Sequence, residues 1–156
     1  MWIFLCVGCS PFKVADVLSP YSGYEVTTDV SYGTLERQKL DIYTPTKKQK
    51  SSDIIIFIYG GSWKSGEKSN YRFIAQPFTN SGFLTIVPNY RLYPEVRFPE
   101  FNKDVAKAVA WVYQNFSRSK DTKNIILVGH SAGAHIAALI SLNPNYLEAE
   151  GLSPSI

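Results

Sequence analysis

The sequence predicts an α/β fold with a mostly parallel sheet and flanking helices. Three short apolar runs, at residues 53–59, 83–88 and 124–128, are typical of strands that are buried on both faces. Between the last two runs, apolar residues recur with helical spacing at positions 101, 105, 108, 109, 112, 113 and 116. Such a stripe marks one face of a helix. Strands that alternate with helices form βαβ units, whose right-handed crossovers make neighbouring strands parallel.

Length and composition indicate one globular domain. The chain has 156 residues, of which 45% are apolar and 19% are charged, and this is enough to bury a substantial core. The net charge is only +3, and the single basic cluster, Lys47-Lys48-Gln49-Lys50, falls in a polar turn. We therefore expect no nucleic-acid partner.

Residues 1–23 are predicted to be a truncated export signal and a linker, and residues 24–156 to be a partial domain. The apolar segment 2–8 is too short to span a bilayer. Its continuation into Cys9 resembles the end of a bacterial lipoprotein signal, which makes Cys9 the candidate for lipidation and membrane attachment. The alternative is a mis-started or truncated N-terminus, which would leave the protein cytoplasmic. No further Cys or His pair at ligand spacing accompanies Cys6 and Cys9, so no metal site is predicted.

Two alternating segments, 24–32 and 38–43, precede the buried strands and are predicted to form an antiparallel pair at the edge of the sheet. After the strand at 53–59 comes a glycine-rich loop at 60–66, and then a helix that we expect Ser69 to cap. The apolar residues that share one face of this helix are Phe73, Ile74, Pro77 and Phe78, and the helix is predicted to end at Asn80-Ser81-Gly82.

The strand at 124–128 leads directly into Gly129-His130-Ser131-Ala132-Gly133, and an apolar helix at 132–142 follows. Strand, tight turn and helix in this order are the context that a serine nucleophile elbow requires. Glycines must flank the serine, because a Cβ at either place would meet neighbouring backbone. The turn holds the hydroxyl of Ser131 at a helix N-terminus, where N–H groups can meet a developing negative charge. Ser131 is therefore the candidate nucleophile.

A second glycine motif, Tyr59-Gly60-Gly61-Ser62-Trp63, follows a neighbouring strand. Alone it would indicate a plain β-turn, and the absence of Gly-Lys-Ser/Thr excludes a phosphate loop. Acyl transfer, however, needs N–H donors aimed at an oxyanion, and a loop of this kind supplies them together with the residue after the nucleophile. We therefore predict an oxyanion hole formed by the N–H groups of Gly61, Ser62 and Ala132.

Three ordered motifs resemble the signatures of α/β-hydrolase esterases. They are Tyr59-Gly60-Gly61-Ser62-Trp63, Asn89-Tyr90-Arg91-Leu92 and Gly129-His130-Ser131-Ala132-Gly133-Ala134-His135. The chain resembles the group that includes hormone-sensitive-lipase-like carboxylesterases, feruloyl-esterase-like enzymes and kynurenine-formamidase-like enzymes. The resemblance covers residues 24–147. It implies the N-terminal half of an α/β-hydrolase fold, a small-molecule ester substrate, and no metal or organic cofactor.

The chain departs from this pattern in the first oxyanion motif, where Tyr59 stands in place of the usual His. Since the expected oxyanion donors are backbone N–H groups, we expect a local change in packing rather than lost function.

A larger departure concerns the catalytic triad, which runs in the order Ser, Asp or Glu, His in α/β-hydrolases. After Ser131 the chain offers only Glu148, Glu150 and His135. His135 lies one helical turn on and points along the helix, away from where a base must stand. It and His130 are expected to be core or supporting residues, and the two glutamates surface charges. No triad acid or base is therefore predicted in this chain, and serine without a base is a poor nucleophile.

The predicted function is hydrolysis of carboxylic esters through an acyl-enzyme on Ser131, in a chain truncated before the triad Asp and His. One alternative is an amide hydrolase of the arylformamidase type, and another is a catalytically incomplete fragment. Three parallel strands would leave a sheet edge exposed, which favours association or aggregation. Arg91, Tyr93 and Arg97 are candidates for lining the site, with structural salt bridges as the alternative role of the arginines.

Overall fold

The computed structural model describes residues 22–47, 53–117 and 124–153. Its sheet consists of β1 (Tyr24–Ser31), β2 (Lys39–Pro45), β3 (Ile54–Ile58), β4 (Leu84–Pro88) and β5 (Ile125–Gly129). The helices are α1 (Arg72–Asn80), α2 (Glu100–Val112), α3 (Ala132–Leu142) and the short α4 (Asn145–Glu148). A 3₁₀ turn, Lys68–Tyr71, leads into α1, and a π-helical turn, Tyr113–Ser117, follows α2.

The sheet has the order β1-β2-β4-β3-β5. β3 is parallel to both β4 and β5. β1 pairs antiparallel with β2, and β2 pairs antiparallel with β4, so these two strands form one edge of the sheet. Every residue of β3 and β4 is buried. The predicted α/β class and the mostly parallel sheet are thereby confirmed.

Helices α1, α2 and α3 lie where the sequence predicts helices, but the start of α1 differs and the short α4 was not predicted. Ser69 is not a helix cap, because it lies inside the 3₁₀ turn and α1 begins without a side-chain cap. The buried face of α1 also differs from the apolar face expected from the sequence: it consists of Arg72, Ala75, Gln76 and Thr79. The Thr79 hydroxyl donates a 2.8 Å hydrogen bond to the Ala75 carbonyl oxygen, so the polar side chain is satisfied within its own helix.

The N-terminal predictions fall on residues outside those described. Cys6, Cys9 and the rest of the expected signal belong to residues 1–21, and Lys48 and Lys50 of the basic cluster also lie outside. In the described ranges, none of the helices combines the length and apolar character needed to cross a membrane.

The sheet order fixes where the two glycine motifs meet. β3 and β5 are parallel neighbours with Ile58 opposite Gly129, so the loops that leave their carboxyl ends start side by side. β5 is the last strand of the described sheet, and its Ile126 is 39% exposed. α3 packs on the sheet through Ile136, Ala137 and Ile140, while Leu142 remains exposed.

Candidate active site

Ser131 occupies a sharp turn between β5 and α3. Its backbone has φ 53° and ψ −119°, a conformation that side-chain-bearing residues rarely adopt. The turn is closed by the N–H of Gly133, which donates to the carbonyl oxygen of His130 at 2.8 Å. One turn further, the N–H of His135 donates to the Ser131 carbonyl oxygen at 3.1 Å. This is the geometry of the elbow that the sequence predicts.

The two glycines that flank the serine have no room for a side chain. A Cβ on Gly129 would lie 2.6 Å from the backbone nitrogen of Ala134, within the helix that follows. A Cβ on Gly133 would lie 2.1 Å from the carbonyl oxygen of Ile58, at the end of the adjacent strand. The elbow therefore depends on glycine at both positions, for two different contacts.

The segment Gly60–Gly66, hereafter the glycine loop, touches the elbow. A Cβ on Gly60 would lie 2.8 Å from the carbonyl oxygen of His130 and 2.9 Å from the Cβ of Ser131. Beyond Gly60 the loop folds back, because the N–H groups of Lys64 and Ser65 donate to the carbonyl oxygen of Gly61 at 3.0 and 3.1 Å. The loop and the candidate nucleophile are thus in van der Waals contact.

The three expected oxyanion donors lie on these two turns. Gly61 and Ser62 have positive φ values of 125° and 54° in the glycine loop, and Ala132 is the first residue of α3. No described residue accepts a hydrogen bond from the N–H of any of the three. Backbone donors without a protein acceptor are available to a ligand, and helix N-termini favour negative charge there.

The two histidines lie close to the elbow, but neither belongs to the core, so that part of the expectation is wrong: both are exposed. The imidazole of His135 meets the indole of Trp63 edge to face, with ring centroids 5.4 Å apart at 87°. His130 borders a cleft of about 350 Å³. The cleft is also lined by Gly60, Gly61, Ser65, Gly66, Asn70 and Tyr71.

The two acidic candidates lie on or next to the short helix α4. Glu148 is exposed on the short helix α4, and Glu150 is half-buried just after it. The described residues contain no group of three or more His, Cys, Asp or Glu side chains that could hold a metal ion.

Of the two roles considered for Arg91, lining the site or forming a structural salt bridge, the structure shows the salt bridge. Its Nε and Nη2 donate to the two carboxylate oxygens of Asp104, both at 2.8 Å, and its Nη2 also lies 3.3 Å from Glu100. The hydrogen bonds with Asp104 raise the pKa of the Arg91 guanidinium above its ordinary value. Arg97 lies 5.4 Å from the ring centroid of Tyr93, and the Tyr93 N–H donates to the carbonyl oxygen of Trp63 at 2.7 Å.

Tyr59, at the start of the glycine loop, is fully buried. Its ring is stacked between Tyr71 and Tyr90, with centroid distances of 5.2 and 4.7 Å. Sequence reasoning missed that Arg37, from the turn between β1 and β2, reaches this residue, because a lone arginine in a turn carries no recognisable signal.

The fold, the elbow and the loop beside it define the class of α/β-hydrolases. The sequence model of the BD-FAE family matches residues 40–153, and the chain belongs to that family.

Named relatives agree with this assignment. The chain is 32% identical over 112 residues to kynurenine formamidase of Danio rerio, covering 72% of this chain and 37% of that protein. It is 33% identical over 150 residues to a probable isoprenylcysteine alpha-carbonyl methylesterase of Oryza sativa subsp. japonica, covering 91% and 35%. The solved structure of esterase B from Lactobacillus rhamnosis, inhibited by a tributyrin phosphonate, superposes with a TM-score of 0.77 at 25% identity, covering 91% and 48%. The chain thus spans less than half the length of these proteins.

Proposed function

We propose that this protein hydrolyses carboxylic esters through an acyl-enzyme on Ser131. The observation that carries the proposal is the contact between Gly60 and Ser131. It joins a candidate nucleophile to a loop in which the N–H groups of Gly61 and Ser62 have no acceptor among the described residues. In the first step the Ser131 Oγ attacks the ester carbonyl carbon, and the carbonyl oxygen gains negative charge. The N–H groups of Gly61, Ser62 and Ala132 stabilise that charge, and the alcohol then leaves as the acyl-enzyme forms.

Water must then release the acid, and both steps need a base. His130 and His135 are the only histidines in the sequence. His130 lies inside the elbow, and His135 packs against Trp63, so neither is assigned this role. Because the relatives extend well beyond the matched region, we propose that the triad acid and base come from outside these 156 residues.

The second candidate is an amide hydrolase of the arylformamidase type. It is supported by the likeness to kynurenine formamidase and would use the same nucleophile and oxyanion donors. Aryl esters and N-formyl aromatic amines, assayed side by side on the full-length protein, distinguish the two. A higher kcat/KM for the formyl amines would replace the ester proposal with the amide one.

A third candidate is a catalytically incomplete fragment. A fluorophosphonate probe tests it directly, because the probe phosphonylates an activated serine. We expect the full-length wild type to be labelled and Ser131→Ala to be unlabelled. Equal labelling of the two would refute Ser131 as the nucleophile. Ser62→Ala is the matched control for loss of a nearby serine hydroxyl, since the proposed contribution of Ser62 is its backbone N–H.

Two further expectations remain proposals about location and association. Membrane attachment through Cys9 is tested by metabolic labelling with a fatty acid, with Cys9→Ser as the unlabelled control.

Association through the free edge of β5 is tested by light scattering of the isolated chain. Ile126→Lys should reduce such association, since a charge on an edge strand opposes strand pairing.

A further inference from the structure

Four side chains form a closed ring of hydrogen bonds beneath the glycine loop. The Nη2 of Arg37 donates to the Tyr59 hydroxyl at 3.0 Å, and that hydroxyl donates to the Oδ1 of Asn89 at 2.8 Å. The Nδ2 of Asn89 donates to Glu67, and the Nη1 of Arg37 donates to the other Glu67 oxygen at 3.3 Å. These residues, Arg37, Tyr59, Glu67 and Asn89, are called the Arg37 ring below.

The Arg37 ring holds the glycine loop at both ends. Tyr59 immediately precedes the loop and Glu67 immediately follows it. In addition, the Nη2 of Arg37 donates to the carbonyl oxygen of Gly66 at 2.9 Å, which fixes the last residue of the loop directly. The two ends of the loop are therefore tied to one guanidinium.

Hydrogen bonds to backbone carbonyl groups also restrain the start of the glycine loop, at Tyr59. The Nε of Arg37 donates to the carbonyl oxygen of Tyr90 at 2.8 Å, and the Tyr90 hydroxyl donates to the carbonyl oxygen of Tyr59 at 2.7 Å. The N–H of Lys68 donates to the Oδ1 of Asn89 at 2.8 Å. Arg37 thus contacts the strand end before the loop, the loop end and the segment after β4.

The protonation states suit a permanent restraint. Burial raises the pKa of the Tyr59 hydroxyl far above its ordinary value, so the hydroxyl keeps its proton and continues to donate to Asn89. The guanidinium of Arg37 presents several donors in a fixed planar fork. Hydrogen bonds from a charged donor are stronger than neutral ones.

The glycine loop needs such a restraint because its backbone is strained. Ser62 and Trp63 both have positive φ, at 54° and 58°, and both carry side chains. Conformations of this kind persist only where the surroundings enforce them. A relaxation of the loop would reorient the N–H groups of Gly61 and Ser62, which the proposed function needs as oxyanion donors.

We propose that Arg37 is a positioning residue, which holds the N–H groups of the glycine loop in register with Ser131 by closing the Arg37 ring. Its contacts are to the ends of the loop, not to the substrate. The inference rests on the proposed function for its catalytic consequence, although the restraint on the loop is independent of catalysis. The proposal also accounts for tyrosine at position 59, because the phenol hydroxyl reaches both Arg37 and Asn89.

The test uses Arg37→Gln, Arg37→Lys and Tyr59→Phe in the full-length protein. The limiting rate of phosphonylation of Ser131 should fall about 10- to 100-fold, as for a small misplacement of a catalytic group, while the half-saturating probe concentration stays close to wild type. Arg37→Lys should not restore the rate, because it keeps the charge but loses the fork. Hydrogen–deuterium exchange at residues 60–66 should become faster in all three variants.

Tyr32→Phe is the matched control. The Tyr32 hydroxyl is also buried and donates to the carbonyl oxygen of Asn89 at 2.6 Å, so it reaches the backbone of a ring member, but none of the hydrogen bonds described for Tyr32 reaches residues 60–66. It should lower the melting temperature by a similar amount to Tyr59→Phe and leave both the labelling rate and the loop exchange unchanged.

The outcomes separate the two proposals. If wild type and Ser131→Ala label equally, the proposed function fails, and loop exchange alone still decides the role of Arg37. If Ser131 reacts but the Arg37 and Tyr59 variants react at the wild-type rate with unchanged loop exchange, the positioning role is overturned. A loss of rate in Tyr32→Phe as large as in Tyr59→Phe would also overturn it, since a general loss of stability would then explain both.

Discussion

The Cα of Gly133 faces the carbonyl oxygen of Ile58 so closely that a Cβ would lie 2.1 Å from it. This contact brings the first turn of α3 directly onto the end of β3. The helix N-terminus and the start of the glycine loop therefore converge, because Ile58 is the last residue of β3 and Tyr59 leads into the loop.

Replacement of Gly133 by alanine tests this contact, because the contact reverses the usual direction of the change in stability. At an open helical position, Gly→Ala stabilises a protein by up to about 1 kcal/mol. For Gly133→Ala we expect the reverse, a loss of about 1–3 kcal/mol in the free energy of unfolding, because the helix must move off the strand. Urea denaturation measures the change, and Ala138→Gly on the exposed face of α3 provides the propensity control. A stabilised Gly133→Ala would contradict the packing described.

His135 should be dispensable as a base. His135→Phe keeps an aromatic ring against the edge of Trp63, a contact of the kind worth about 0.5–1.5 kcal/mol. We expect the rate of Ser131 phosphonylation and its pH profile to match wild type. His135→Ala, which removes the ring, should lower stability and serves as the companion variant. Loss of an ionisation from the pH profile in His135→Phe would show that the imidazole acts as the base after all.

The buried carboxylate of Asp104 should be essential for stability alone. It accepts from Arg91 and from the Nε2 of Gln38 at 2.8 Å, and its side chain is only 2% exposed. Asp104→Asn leaves the Arg91 charge without its buried partner, so we expect a loss of about 3–5 kcal/mol in urea denaturation. Glu100→Gln removes the more exposed partner of the same arginine and should cost less than about 1 kcal/mol. Equal losses in the two variants would contradict the assignment.

Acid stability should depend on Asp29, whose carboxylate lies 2.8 Å from the Nζ of Lys68. The hydrogen bond from Lys68 lowers the pKa of Asp29 below its ordinary value of 3.8. The unfolded chain therefore binds the proton first as the pH falls, and the stabilisation present above about pH 4 disappears as the pH drops through the lowered pKa.

Asp29→Asn tests this without backbone strain, since Asn tolerates the positive φ of 58° at this position. Its melting temperature should lie below that of wild type at pH 7, and the gap should narrow below about pH 4. Glu25→Gln, an exposed change on the same strand, is the control. A gap that stays constant down to pH 3 would contradict the role of the ion pair.

The buried strands and the elbow could be predicted from sequence because they depend on local patterns. Buried strands such as Ile54–Ile58 read as continuous apolar runs, and flanking glycines mark the turn at Ser131. The start of α1 was predicted incorrectly, because the 3₁₀ turn includes Ser69 and no side chain caps the helix. The Arg37 ring could not be predicted from the sequence, because Arg37 and Asn89 are far apart in sequence and only the fold brings them together.

The backbone of Ser131 has a consequence for how this protein tolerates mutation. A conformation with φ 53° and ψ −119° costs a residue with a side chain about 1–3 kcal/mol, whereas glycine adopts it freely. Ser131→Gly should therefore raise the melting temperature while abolishing the hydroxyl, and Ser131→Ala should give less of that gain because its Cβ remains. At this position the most stable variant would lack the hydroxyl, so selection for thermal resistance alone would remove the proposed nucleophile.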